Sequence, residues 1–206
     1  TFFFADILQG QKTGWFYDQR MNRAFVASLA SGARLLDCYA HTGGFAIQAA
    51  VRGAIETIVV DTSVSALELA SAAAQKNGVD KRVSIHNADV FLDLVSRANA
   101  DECFDIVVAD PPSFVKSKRD LKSGSRGYRK LARLAAKVVA PGGVLFIASC
   151  SHNMSLDLFN EQVVRGVTDA RRTGRILMKS GASPDHPLHP GLPESAYLKA
   201  TTFQLD

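Results

Sequence analysis

Short apolar runs rich in Val, Ile and Leu recur along this chain. Between them lie longer stretches whose apolar positions return every three or four residues. The first pattern suits a strand and the second a helix with one buried stripe. Their alternation predicts βαβ units and a mostly parallel sheet, an α/β fold. Strands are expected at 34–37, 55–61, 83–86, 104–109, 144–149, 175–179 and 196–203. Runs such as Ile106-Val107-Val108 carry no polar alternation, as expected when helices cover both faces of the sheet. Helices are expected at 44–52, 63–77 (closed by Gly78), 90–98, 126–139 (stopped by Pro141-Gly142-Gly143) and 155–170.

Residues 1–30 follow another pattern. Segments 2–8 and 15–17 flank the turn-like Gly10-Gln11-Lys12-Thr13-Gly14, which predicts a β-hairpin, and an amphipathic helix follows over 19–29. Thirty residues bury too little to fold alone, so they are expected to form an extension packed on a domain of residues 31–206.

Composition narrows the class. The chain has 206 residues, 47% hydrophobic and 21% charged, the balance of a globular protein. No apolar run reaches the roughly 18 to 20 residues of a membrane span, so integral membrane helices and a membrane partner are excluded. Nothing reads as a secretion signal, and three scattered cysteines make neither a disulfide framework nor a zinc pattern. Reduced thiols in a cytoplasm fit best, and no metal is expected. Lys+Arg 24 against Asp+Glu 20 gives a net charge of +4, which permits a polyanionic partner and says no more. The start at Thr1, without Met, reads as that of a piece of a longer chain.

In open α/β sheets the ligand binds beyond the carboxyl ends of the strands, so the residues after each strand are the candidates. Asp37-Cys38-Tyr39-Ala40-His41-Thr42-Gly43-Gly44 follows the first. Its glycines could let a ligand approach the backbone, or could serve only a tight turn; the run is not GxGxxG. Asp61 follows the second strand, where a carboxylate can accept ribose hydroxyls or cap the helix from Ser63. Asn87-Ala88-Asp89-Val90 follows the third and suits an adenine edge or, again, a helix cap. Asp110-Pro111-Pro112-Ser113-Phe114 follows the fourth: two prolines make a rigid corner between an acceptor and an aromatic face. Cys150 follows the fifth among polar residues, placed to act as a nucleophile, whereas Cys38 and Cys103 read as small buried hydrophobes.

Together LLDCYAHTGGFAIQAA, VVDTSVSALELA, FDIVVADPPSF and SCSHNM resemble the class I S-adenosylmethionine-dependent methyltransferases. Among these the chain most resembles the bacterial 23S ribosomal RNA 5-methylcytosine methyltransferases of the RlmI type. GQKTGWFYDQRMNR, SRGYRKL and LPESAYLKA extend the likeness over nearly the whole chain. The resemblance implies a Rossmann-like, mostly parallel seven-stranded sheet and S-adenosylmethionine as cofactor. It implies that Asp37, Tyr39, His41, Thr42, Gly43 and Gly44 hold the methionine end of the cofactor. Asp61, Thr62 and Ser63 would take the ribose, and Asn87, Asp89 and Val90 the adenine. Gln19 and Arg20 would close over the cofactor, Asp110 and Pro111 would face the target base, and Cys150 would be the catalytic thiol. It further implies an N-terminal RNA-binding PUA domain of about 70 residues, which this sequence does not contain. Position 113 is Ser where many such proteins carry Lys.

Such an enzyme would act by adding the Cys150 thiolate to carbon 6 of cytosine, so that carbon 5 can take a methyl group, with Asp110 holding the ring as charge develops. Eight of the 24 cations fall in residues 116–133, directly after the Asp110 corner. Phe114, Lys116, Lys118, Arg119, Arg126 and Tyr128 are therefore expected to meet 23S ribosomal RNA, with Gly124 and Gly127 lending flexibility. A second basic group, Arg165, Arg171, Arg172 and Arg175, reads as a solvated face. Three alternatives stay open: an amino methyltransferase acting on adenine or guanine, a nicotinamide-dependent oxidoreductase, and a non-catalytic RNA-binding module. A homodimer is also left open.

Overall fold

The structure, a computed structural model, describes residues 1–8 and 14–206. In chain order the elements are α1 (Arg20–Ser28), β1 (Arg34–Cys38), α2 (Gly44–Val51), β2 (Glu56–Asp61), α3 (Val64–Lys76), β3 (Val83–Asn87) and α4 (Val90–Asn99). There follow β4 (Phe104–Ala109), α5 (Leu121–Lys137), β5 (Val139–Ser149), α6 (Leu156–Asp169), β6 (Gly174–Ser180) and β7 (Lys199–Leu205). The strands form one seven-stranded sheet in the order β3-β2-β1-β4-β5-β7-β6. The expected α/β fold is borne out. The chain divides into two compact units, Thr1–Val90 with Ser183–His186, and Phe91–Ala182 with Pro187–Asp206.

In the first unit β1 pairs with β2 and β2 with β3, all parallel. Leu35, Leu36, Val59 and Val60 are fully buried, as the unbroken apolar runs required. The helices present small residues to this layer: Ala46, Ala49 and Ala50 of α2, with Ala70 and Ala73 of α3, have no exposed surface. Ser63 caps α3, its hydroxyl accepting from Ala66 N–H at 3.3 Å, and Gly78 ends it at a left-handed φ of 66°.

Among the described residues the expected hairpin is absent. No strand occurs among the described residues before Arg34, and the turn at residues 10–13 lies outside them. Phe2 instead gives its N–H to Asn77 Oδ1 (2.8 Å), and its C=O accepts from Asn77 Nδ2 (2.7 Å). One amide side chain thus takes the place of a partner strand. Phe3 packs on Trp15, ring centroids 4.5 Å apart, and Tyr17–Gln19 forms a single 3-10 turn leading into α1.

In the second unit β4 pairs with β5 in parallel, and β7 runs antiparallel to both β5 and β6. Two boundaries differ from expectation. β5 begins at Val139, five residues early, because Pro141-Gly142 is absorbed where the β4 ladder shifts register between Phe104 and Ile106. α5 begins at Leu121, because Asp120 Oδ2 accepts from the Ser117 N–H (3.0 Å) and hydroxyl (2.8 Å) and starts the turn there.

Gly124 and Gly127 therefore lie inside a helix and lend no flexibility. A Cβ on Gly124 would fall on the Phe114 carbonyl oxygen and within 2.5 Å of Val115 Cγ2, whereas one on Gly127 would meet only the Phe114 ring, at 3.0 Å. Gly124→Ala should destabilise the protein by about 1–3 kcal/mol through overpacking against backbone. Gly127→Ala should be near neutral, because a small turn of the ring is offset by a helix-propensity gain of about 1 kcal/mol. Urea titration of the two variants checks the difference, and equal effects would contradict this packing.

Candidate active site

In the first unit, the ends of three parallel strands converge on one polar cluster. The register sets Asp61 opposite Asn87 and Cys38 opposite Val60, so the residues after β1, β2 and β3 emerge side by side. Asp61 braces the loop after β1: its Oδ2 accepts from His41 N–H (2.8 Å) and its Oδ1 from Ser63 N–H (2.9 Å). Since Ser63 is the cap of α3, the capping alternative for Asp61 falls away. Asn87, an exposed residue, donates its Nδ2 to the Asp61 carbonyl at 3.2 Å. Asp37, buried under the loop, accepts from Ala46 N–H in α2 at 3.0 Å.

The loop itself is tightly curled. Tyr39, His41 and Gly43 all have left-handed φ, at 60°, 51° and 75°. Thr42 is buried, Thr62 and Asp89 are exposed, and Val90 is buried at the start of α4. Burial lowers the pKa of His41 below its usual 6.5, opposed in part by the Asp61 carboxylate. The Phe16 ring meets the imidazole edge-on at 5.2 Å.

Arg23 is a feature that sequence reasoning missed. It is buried, lies over the Trp15 ring at 4.4 Å and donates to the Phe16 carbonyl at 2.8 Å. A Cβ on Gly44 would meet Arg23 Cδ at 3.0 Å, so this glycine makes room for a side chain. Gln19 is buried with its Oε1 accepting from Asn22 Nδ2 (2.6 Å), and Arg20 is ion-paired with Asp185 at 2.6 Å.

In the second unit, two loops are tied together around Cys150. The half-buried thiol lies 4.0 Å from the Pro111 carbonyl oxygen, so the structure brings Cys150 to the Asp110-Pro111 corner. Ser151 makes the ties. Its hydroxyl shares hydrogen bonds with Ser113 (2.8 Å) and Tyr128 (2.8 Å) and accepts from Val115 N–H (3.3 Å). Ser149 donates to the Tyr128 oxygen at 2.8 Å, and Asn153 Nδ2 donates to the Lys116 carbonyl at 3.1 Å. Ser113, which departs from the expected Lys, is thus one of the fasteners between these loops.

Lys199, from the strand beside β5, is the other feature the sequence hid. Its buried ammonium donates to the carbonyls of Ser151 (2.8 Å) and Tyr197 (2.7 Å). Burial lowers its pKa, and the opposing attraction comes from Cys150.

The RNA-facing candidates divide. Lys116, Lys118, Arg119 and Arg126 are exposed. Phe114 is half-buried, packed on Tyr128 at 4.8 Å and stacked with Phe91 at 6.1 Å. Tyr128 corrects the expectation: it has no exposed surface and its hydroxyl is engaged by both serines, so it cannot stack on a base.

Two outcomes follow. Tyr128→Phe should cost about 1–3 kcal/mol, because it strands buried hydroxyl and amide partners; a denaturant titration reads this, and a neutral effect would contradict the network. With the folded His41 pKa below its unfolded value, the unfolded state binds more protons in between. Stability should therefore fall as pH drops below 6.5 and be fully present above it. Melting temperatures against pH for the wild type and His41→Gln should diverge on the acid side; parallel curves would refute the shift.

A profile of the S-adenosylmethionine-dependent methyltransferase family matches residues 2–203. The chain is similar to a protein of Aeromonas salmonicida named ribosomal RNA large subunit methyltransferase I, 42% identical over 196 residues, covering 95% of this chain and 50% of that one. It is similar to the protein of the same name in Shewanella denitrificans, at 38% identity over 95% of this chain and 49% of that one. The chain thus spans about half the length of these curated relatives. Among solved structures, one described as a methyltransferase complexed with SAH matches with a TM-score of 0.81 at 26% identity, over 92% of this chain and 50% of that one. One described as a SAM-dependent methyltransferase from Streptococcus mutans matches at 0.80 and 27% identity, over 92% and 49%. These matches bear out the resemblance read from the motifs: the chain belongs to the S-adenosylmethionine-dependent methyltransferase family.

Proposed function

We propose that this chain is the catalytic domain of an RNA methyltransferase that forms 5-methylcytosine in 23S ribosomal RNA, with residues 1–30 serving as its N-terminal extension. The names of the relatives support the ribosomal RNA, and so a cytoplasmic setting. The observation that carries cytosine is the thiol of Cys150 against the Pro111 carbonyl, beside Asp110. An enzyme acting on an exocyclic amine has no use for a nucleophile there. The length of the relatives leaves room for an RNA-binding PUA domain in the whole protein.

The strand-end residues fit S-adenosylmethionine. Asp61 is an oriented carboxylate for ribose hydroxyls, and the amide oxygen of the exposed Asn87 can accept from an amine. Asp37, Tyr39, His41, Thr42, Gly43 and Gly44 would enclose the methionine end, with Thr62 and Ser63 at the ribose and Asp89 and Val90 at the adenine. Gln19 and Arg20 would cover the cofactor. When bound, the cofactor supplies an electrophilic methyl group.

Carbon 5 of cytosine is too weak a nucleophile for direct attack. Addition of the Cys150 thiolate to carbon 6 turns the ring into an enamine, with carbon 5 carrying the electron pair that takes the methyl group. A base then removes the carbon-5 proton, the double bond re-forms and the thiolate leaves. Asp110 holds the ring as charge develops, and the Lys199 ammonium favours the charged sulfur. The target base must leave its stack, which is cheapest in looped RNA.

Ribosomal RNA carrying 5-fluorocytosine should trap a covalent adduct with the wild type and none with Cys150→Ala. Normal methylation by Cys150→Ala would refute the thiol role, and methyladenine or methylguanine as the product nucleoside would refute cytosine.

A further inference from the structure

The strongest unassigned feature is a groove of about 500 Å³ between the start of α5 and the face of α6, within the second unit. Lys118, Arg119, Lys122, Arg126 and Arg165 line it, together with Gln162. The acids nearby are each engaged, two of them by the lining cations Arg129 and Arg165. Asp120 turns inward onto Ser117, Glu161 pairs with Arg165 at 2.6 Å, and Asp169 pairs with Arg129 at 2.6 Å. Lys118, Arg119, Lys122 and Arg126 have no ion-pair partner among the described residues. The groove therefore holds concentrated, uncompensated positive charge.

A second observation is independent of charge. Gln162 is only 9% exposed, lines the groove, and its amide has no hydrogen-bond partner among the described residues. The amide can therefore bond only to what enters the groove, water or a ligand.

We propose that this α5–α6 groove binds the phosphodiester backbone of an RNA strand, resting on the ribosomal RNA reading above. The cations on its walls would neutralise successive phosphates, and the Gln162 amide at its base would bond a phosphate or ribose oxygen. Arg165, which by sequence reads as a solvated face, belongs to this site. A concave, polar groove suits an extended chain; a flat lipid surface would reach only its rim.

The test is anisotropy of a short fluorescein-labelled single-stranded RNA with the 206-residue chain across a salt series. The triple variant Lys122→Gln/Arg126→Gln/Arg165→Gln should bind about tenfold more weakly and lower the slope of log K against log salt by about 2. Gln162→Leu should weaken binding about threefold with the slope unchanged, because a neutral amide releases no counterions. Arg171→Gln/Arg175→Gln, exposed cations that do not line the groove, should leave affinity within about twofold. Melting curves establish that each variant is folded; if the triple variant is not, the exposed Arg126→Gln alone should weaken binding and lower the slope by about 0.7.

Wild-type affinity in the groove variants, or equal losses in the Arg171/Arg175 pair, would overturn the site. So would loss of binding to phosphatidylserine vesicles with RNA binding intact. RNA binding through the groove without methyl transfer to ribosomal RNA would instead refute the enzymatic reading alone.

Discussion

The Ser151 hydroxyl is where the geometry of the thiol corner is decided. It bonds to Ser113, Val115 and Tyr128, which lie 38, 36 and 23 positions away in sequence. The same residue's carbonyl accepts from Lys199, 48 positions on, and its N–H donates to Ser149. Cys150 is its immediate neighbour, so anything that fixes Ser151 also fixes the sulfur relative to Pro111. Such a network is all or nothing. Each buried hydroxyl is inexpensive while every partner is present and costly once one is lost. The rigidity of two irregular loops therefore rests on a few hydroxyls rather than on secondary structure.

That dependence explains what was legible in the sequence. The strands could be read because burial on both faces demands continuous apolar runs, and six of the seven could be placed to within three residues at either end. Asp61, the Asp110 corner and Cys150 could be read because strand ends are where chemistry collects in such sheets. Tyr128 misled because a tyrosine among basic residues looks like a stacking platform. Its burial follows only from helix phase: Gly124, Ser125, Tyr128, Leu131 and Ala132 share the covered face of α5. Ser151 and Lys199 carried no local signal, since their partners are distant in sequence. The hairpin failed for a related reason: Phe2 finds its hydrogen bonds on a side chain, Asn77, 75 positions away.

Glycines show the same limit. A Gly in a loop near a ligand site invites the reading that the backbone must approach the ligand. At Gly44 the absent Cβ is replaced by Arg23 and Trp15, and at Gly124 by the Phe114–Val115 backbone. Both are demands of packing, and both fall beside loops that follow strand ends. The glycine at the start of α2 therefore lets the N-terminal segment pack against the loop after β1, linking Trp15 and Phe16 to Gly44 and His41. Gly43 is a separate case, since its φ of 75° alone favours glycine.

Lys199 raises a question of charge. An ammonium that is 8% exposed and bonded to two neutral carbonyls has exchanged water for dipoles, and burial accordingly pulls its pKa down. The attraction that counters this comes from Cys150, and only a thiolate can supply it. Coulombic attraction is mutual, so the ammonium favours the thiolate as much as the thiolate favours the ammonium. The position of the lysine is set by its own bonds to the Ser151 and Tyr197 carbonyls, which tie β7 to the loop after β5.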